Sequence, residues 1–274
     1  MENVNKEWYE KNKKQYLPKR KAKRITLKTK LAQIYNTIDL TTTCNRSLTC
    51  CKIACPALNY SEFCQLLNEI WEPANSTKEE KLNYLCTSIE YFFRNEFEKW
   101  GREGVFIKPC MLLSKDGTCS RYSSRPLSCR LYGLWPEDIY KARVDKFEKA
   151  YEGLLKREEI PLNTQCPHVK RVDESKPLTG EIINSLYGQL DELDKKVGNF
   201  TDNQVKNKEN YRAFHDWLLY TFLGEDNLIA LTRFMLGADK KTLEEQIAIF
   251  KKVWTEKLAN DKLSVNLPKE VKED

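Results

Sequence analysis

The sequence predicts a mainly α-helical protein with one short β-hairpin and a loop-rich cysteine site near its centre. Three observations carry that expectation. Apolar residues recur at helical spacing through most of the chain beyond residue 58. Only one stretch, around Asp116-Gly117, reads as a hairpin turn between short apolar runs. Eight of the ten cysteines sit among polar, Gly and Pro residues between the helical patterns. The chain has 274 residues, 41% of them hydrophobic and 11% aromatic, enough to bury a sizeable core, so disorder throughout is excluded. The longest apolar run, Trp217 to Leu223, is far short of the ~20 residues that span a bilayer, so no membrane partner is expected. The first 30 residues lack an apolar core of the kind a secretory signal needs, and a cytoplasmic location is expected.

Residues 1–30 hold eleven Lys or Arg against three Glu, with the sharpest run at Lys19-Arg20-Lys21-Ala22-Lys23-Arg24. They read as a basic, flexible arm. Its two readings are a solvated tail and a contact with an anionic partner such as nucleic acid. The formal net charge of +6 does not make the whole body strongly basic. Residues 41–56 read as an irregular loop carrying four cysteines. Asn59 with Glu62 resembles a capping box before Phe63, Leu66, Leu67 and Ile70, and Ser76 with Glu79 a second one before Leu82, Leu85, Ile89, Phe92, Phe93 and Phe97, with a stop at Gly101. Val105-Phe106-Ile107 and Met111-Leu112-Leu113 are short apolar runs, and Lys115-Asp116-Gly117-Thr118 is the turn that would bring Cys110 and Cys119 together. Pro136 opens a helix through Ile139, Tyr140, Phe147, Tyr151 and Leu154. The segment 156–177 is polar and contains Pro. Helical patterns follow over roughly 179–197, 203–223, 225–236 and 242–259, and the charged tail from Asn260 is expected to fray. No Pro/Gly-rich linker separates the cysteine region, 31–177, from the helical region, 178–274, so the two should pack together.

Clustered cysteines in a reducing compartment read as metal-binding or catalytic, because disulfides are rare there. Cys64 and Cys86 lie at helical apolar positions and read as core residues. The other eight, Cys44, Cys50, Cys51, Cys55, Cys110, Cys119, Cys129 and Cys166, are candidate metal ligands. Only Cys51 and Cys55 have the short spacing of a zinc knuckle. Scattered loop thiolates are equally natural for an iron–sulfur cluster, and soft thiolates serve both metals. Cys50 and Cys51 are adjacent, so their side chains tend to diverge and one of the pair is expected to face the centre. Eight candidates permit two four-thiolate sites without requiring them. The spacing of radical S-adenosylmethionine enzymes, the bacterial ferredoxin run, a P-loop and a dinucleotide fingerprint are all absent. The two histidines, His168 and His215, offer little to a nucleophilic site. His215 lies in an aromatic helical stretch and reads as a packed or surface residue. His168 stands two residues after Cys166 and could ligate or support a ligand.

Cys44 to Cys55, followed by Cys110, Leu112, Leu113, Cys119, Tyr122, Arg125, Pro126, Cys129 and Arg130, resembles the YkgJ-type cysteine-cluster family, described as a putative zinc- or iron-chelating domain named for a CxxCxxCC motif. The resemblance covers roughly residues 41–170, and Cys166 fits the later cysteine of the pattern. The first half departs from the motif: Cys44 stands six positions before Cys50, and Cys55 follows the pair. The resemblance implies a bound metal centre and no general reaction. Some members resemble flagellin lysine N-methylases, but this chain shows no separate methyl-donor motif. Within the motif, Arg125 and Arg130 have two open roles, ion pairing with carboxylates or offsetting the negative charge of a thiolate-rich centre.

The leading expectation is a metal-cluster protein, with a [4Fe–4S] cluster, acting in redox or cluster-assisted chemistry on a small-molecule or protein substrate, as an oxidoreductase or transferase. The alternatives are a zinc-stabilised binding module without catalysis, its basic arm on nucleic acid, and a metal chaperone.

Overall fold

The structure is a computed structural model that describes residues 24–39, 42–44, 49–53, 55–72, 74–99, 108–114, 116–150, 169–171, 178–260, 262–263 and 265–272. It is mainly helical. The elements run β1 (Arg24–Thr26), α1 (Leu27–Asp39), β2 (Thr42–Cys44), α2 (Thr49–Ile53), β3 (Ala57–Asn59), α3 (Tyr60–Trp71), α4 (Lys78–Lys99), a 3₁₀ turn (Tyr122–Ser124), α5 (Leu127–Arg130), α6 (Glu137–Ala150), β4 (Val169–Arg171), α7 (Gly180–Gly198), α8 (Asp202–Lys206), β5 (Tyr211–Ala213), α9 (Phe214–Leu223), α10 (Glu225–Met235), α11 (Lys240–Ala259) and β6 (Glu270–Lys272).

The helices follow their apolar periodicity and their caps. Asn59 caps α3, and the Glu62 carboxylate accepts its N–H at 2.9 Å, completing the expected capping box. The second box is shifted by one residue. Thr77 N–H donates to Glu80 Oε2 at 2.7 Å, and Glu80 N–H donates to Thr77 Oγ1 at 3.1 Å. Ser76 is buried instead, and its Oγ accepts from Arg121 Nη2 at 2.6 Å. α7 ends at Gly198 as the pattern implied, but Asn199 supplies the left-handed residue, at φ 55°.

The expected hairpin turn forms, and further β structure accompanies it. Gly117 (φ 78°) makes the turn, with Ser114 N–H on Thr118 O at 2.8 Å. Its flanks form a single bridge, Leu113 to Cys119, rather than a ladder. Ser120 N–H donates to Leu112 O at 2.8 Å across the turn, and the Cys110 N–H goes to the Cys51 carbonyl at 2.7 Å, which ties this loop to α2 as well. Three two-stranded antiparallel sheets form instead between distant segments: β1 with β6, β2 with β4, and β3 with β5. Three-residue strands carry too little alternation to be read from sequence.

Three expectations need correction on this account. Residues 41–56 are not irregular throughout, since they hold β2 and α2. The helix expected over 203–223 is broken into α8, a turn with Lys208 at φ 59°, β5 and α9. The tail does not fray: Val271 is buried in β6, Lys269 O accepts the Leu27 N–H at 2.8 Å, and Asn68 Nδ2 donates to Pro268 O at 3.0 Å. Of the expected arm, residues 1–23 lie outside the described residues, whereas Arg24 to Lys30 form β1 and the start of α1.

Three apolar clusters make the core. α1 and α7 meet around Leu31, Ile38, Leu186 and Leu190, with Cys64 and Val271. β3, α3 and α9 enclose Phe63, Phe214 and Trp217, with Met111 and Leu112. α4 and α11 enclose Leu85, Ile89, Phe93 and Trp254. The expected wide stripe on α4 is thus shared between two clusters, and the regions 31–177 and 178–274 pack across all three.

Candidate functional site

Four short stretches bring thiols to one place. α2 carries Cys50 and Cys51. Cys55 leads into β3. Cys110 opens the turn loop that ends at Cys119. α5 carries Cys129. Backbone hydrogen bonds fix these stretches to one another. The Cys110 to Cys51 bond joins the loop to α2. Pro56 O accepts the Phe214 N–H at 3.0 Å, and Ser128 Oγ donates to Ala57 O at 2.6 Å. β5, in register with β3 from Ala57 against Ala213 to Asn59 against Tyr211, clamps the strand that follows Cys55. α5 is anchored by Glu62, whose Oε1 accepts the Leu127 N–H at 2.6 Å and which also accepts the Tyr35 hydroxyl.

The result is a cavity of about 170 Å³. Cys50, Cys51, Cys55, Cys110 and Cys129 line it, and Pro56, Ala57 and Ser128 share the rest of its wall with the aromatic side chains of Tyr132, Trp135, Tyr187 and Tyr211. Trp135 and Tyr187 lie nearly parallel, 6.5 Å between centroids, and Tyr211 meets Tyr187 edge-on at 6.0 Å. Cys119 does not line the cavity but acts electrostatically on Cys51 and Cys129.

Each of these thiols is held above its ordinary pKa. Cys50 is raised by contact with Cys51, their Sγ atoms 3.9 Å apart, and then by burial. Cys51 is pushed up to about 12 by its hydrogen bond with Cys110 and then by burial, opposed by its contact with Cys50. Cys55 is pushed up to about 12 by burial. At Cys110 the hydrogen bond with Cys51 pulls downward, but burial and the nearby Cys55 and Cys129 outweigh it. Burial raises Cys129 well above the thiol range, with Cys50, Cys51 and Cys119 adding to it. Burial also raises Cys119, opposed by the Arg121 N–H and by the guanidinium groups of Arg125 and Arg121. The set therefore stands as neutral thiols at pH 7. It becomes thiolate only against a compensating positive charge.

All six are free thiols, as are Cys64 and Cys86. Among the described residues, no three His, Cys, Asp or Glu side chains stand together as a ready-made cage for an ion. The thiols share a cavity without being drawn to a single point. The donor set is nonetheless chemically apt for a soft metal or an iron–sulfur core: sulfur alone, buried or partly buried, with cationic side chains near Cys119.

The remaining expected residues fall as follows. Cys44 ends β2, its backbone paired with Val169 of β4, three positions beyond Cys166. Cys166 and His168 lie outside the described residues. Arg125 stacks on Tyr122 at 4.2 Å and acts electrostatically on Cys119. Arg130 turns to Tyr35, stacking at 4.2 Å, and donates to the carbonyls of Arg125 and Ser123. Cys64 is fully buried in the core, and Cys86 packs half-buried against the third cluster. His215 is buried edge-on against Tyr91, 5.5 Å between centroids, as a packed residue. Sequence reasoning missed Glu62 as an anchor of the site, Arg121 and the four aromatic residues of the wall. Only Arg121, two positions after Cys119, carried a local hint.

Comparison with protein-family models, with curated proteins and with solved structures finds no match.

Proposed function

We propose that the chain binds a metal centre through Cys50, Cys51, Cys55, Cys110, Cys119 and Cys129, with a [4Fe–4S] cluster as the occupant, and uses it in redox or cluster-assisted chemistry. The observation that supports this reading is the meeting of five thiols, from stretches far apart in sequence, on one partly aromatic cavity. The likeness of the Cys110–Arg130 stretch to the YkgJ-type pattern points the same way. A cluster needs four thiolates, so a set of six leaves room for an exchangeable ligand, and Cys44 and Cys166 are further donors. When bound, such a cluster supplies one-electron transfer or an iron with an open coordination position. Arg121 and Arg125 offset negative charge at Cys119. Tyr132, Trp135, Tyr187 and Tyr211 limit water around the sulfurs. The eight cysteines shown to be free, Cys44 and Cys166 not among them, fit a reducing compartment.

Anaerobic purification tests the proposal. The expected protein is brown, absorbs near about 400 nm and contains about four irons and four sulfides per chain. Colourless protein with stoichiometric zinc would overturn the cluster assignment. Protein that takes up neither metal after anaerobic reconstitution would overturn the metal centre itself.

A further inference from the structure

On the face formed by α1, α7 and β6 lies a groove of about 900 Å³. Lys30 of α1, Lys196 of α7 and Lys272 of β6 line it, and Ser185 and Gln189 add hydrogen-bonding groups. A second depression of about 470 Å³ shares Lys196 and Lys272 and extends to Arg24. Among the described residues, Glu270 at the second depression pairs with Arg24 at 3.7 Å, and Glu192 at the groove pairs with Lys195 at 2.6 Å, a lysine that Asp202 also holds at 2.5 Å. Arg24 is also where the basic run Lys19-Arg20-Lys21-Ala22-Lys23-Arg24 joins the fold. Gly188 is a further pointer. It sits inside α7, where glycine weakens a helix, yet a Cβ there would meet nothing within 4 Å. Packing does not call for a glycine. Its effect is to keep the groove wider.

We propose that this groove binds single-stranded nucleic acid through its phosphate backbone. The observations favour a strand over the other polyanions. A planar membrane surface fits a flat or convex basic face, not a concave one. A volume of about 900 Å³ matches a ligand of drug-like size, roughly 300–1,000 Å³, so the groove takes a few nucleotides and cannot enclose a duplex. Lysines placed along a groove track phosphates without reading bases, so binding is sequence-tolerant and salt-sensitive. The inference does not rest on the cysteine site.

The test is fluorescence anisotropy of the full chain with a short labelled oligo-dT at rising salt. Wild type should bind at about 50 mM salt and weaken steeply towards about 200 mM. Lys30→Gln with Lys196→Gln and Lys272→Gln should weaken binding by at least about tenfold and flatten the salt slope by about 2, since each strand phosphate contributes about 0.7. Gly188→Trp, which keeps the charge but fills the groove, should weaken it too. An equal charge loss on α11, Lys251→Gln with Lys252→Gln and Lys257→Gln, should leave binding near wild type. Circular dichroism confirms that each variant is folded, and the lysine variant decides the matter if Gly188→Trp is not. Equal weakening by the α11 variant would overturn the proposal, as would wild-type behaviour of the groove variant. Tighter binding to phosphatidylserine vesicles than to the oligonucleotide would replace it with a membrane contact.

Discussion

Glu62 joins the helix cap of α3, the Tyr35 hydroxyl of α1 and the first amide of α5, two residues before Cys129. Burial lifts its pKa from 4.5 to about 7, against three donors that favour the carboxylate. The native state therefore binds this proton more tightly than the unfolded chain does. Its contribution to stability is full below about 4.5 and is lost as pH rises through about 7. Glu62→Gln removes the titration, so the decline in unfolding free energy between those two values should be shallower by roughly 2 kcal/mol. Urea unfolding at several pH values measures this, and identical slopes in the two proteins would refute it. The cysteines divide at the same scale. Cys129→Ser should abolish metal binding, whereas Cys64→Ala, in the core between α1 and α7, should cost about 1–2 kcal/mol of stability and leave metal content intact. Metal loss in the Cys64 variant would show that the ligand set is wrong. The core places of Cys64 and Cys86 were legible in the sequence because both fall on apolar helical faces. Glu62 was legible only as half of a capping box; its reach to Leu127 depends on a contact 65 positions away.

Two glycines of α7 make opposite predictions. At Gly198 a Cβ would stand 2.5 Å from the Phe200 ring and 2.7 Å from that of Tyr60, which itself meets Phe200 edge-on at 5.3 Å and Trp217 at 5.2 Å. Gly198→Ala must push these rings apart and should destabilise by about 1–3 kcal/mol. Gly188→Ala meets open space and should stabilise by about 0.5–1 kcal/mol through helix propensity. Thermal melts of the two variants should shift in opposite directions; a common direction would contradict this geometry. The long helices were readable from sequence because each repeats its apolar spacing over several turns. β3 and β5 were not, because each is three residues long and pairs with a strand more than 150 positions away. Tyr211–Ala213 also continues the helical periodicity of the segment after it, so the break between α8 and α9 left no mark in the pattern. The signs of the break, Lys208 and Asn210, are ordinary residues until the Tyr60 N–H finds the Asn210 carbonyl at 3.0 Å.

At the scale of the whole molecule, the last strand holds the first. β6 pairs with β1 from Arg24 against Lys272 to Thr26 against Glu270, and Trp71 Nε1 donates to Leu263 O at 3.3 Å along the same tail. Removing residues 262–274 should strip the cover from the cluster shared by α1 and α7. It should lower the unfolding midpoint far more than trimming a charged tail would, by roughly 3 kcal/mol or more for the loss of Leu267 and Val271 together with the strand pairing. A truncated chain that melts with wild type would show the tail to be passive. The sequence suggested the opposite because charge dominates beyond Asn260, and the apolar residues that dock there, Leu263, Val265, Leu267 and Val271, are too widely spaced to make a pattern.

The clamp of β5 on β3 has a further consequence in time. A ribosome has released Cys50, Cys51, Cys55, Cys110, Cys119 and Cys129 long before Tyr187, Tyr211 and Phe214 leave the exit tunnel. Until those residues arrive, the strand beyond Cys55 has no partner and the thiols lack much of their aromatic shelter. The nascent chain thus passes through an interval in which its sulfurs are open to oxidants and to stray metal ions alike, and that interval closes only when translation has gone beyond residue 214.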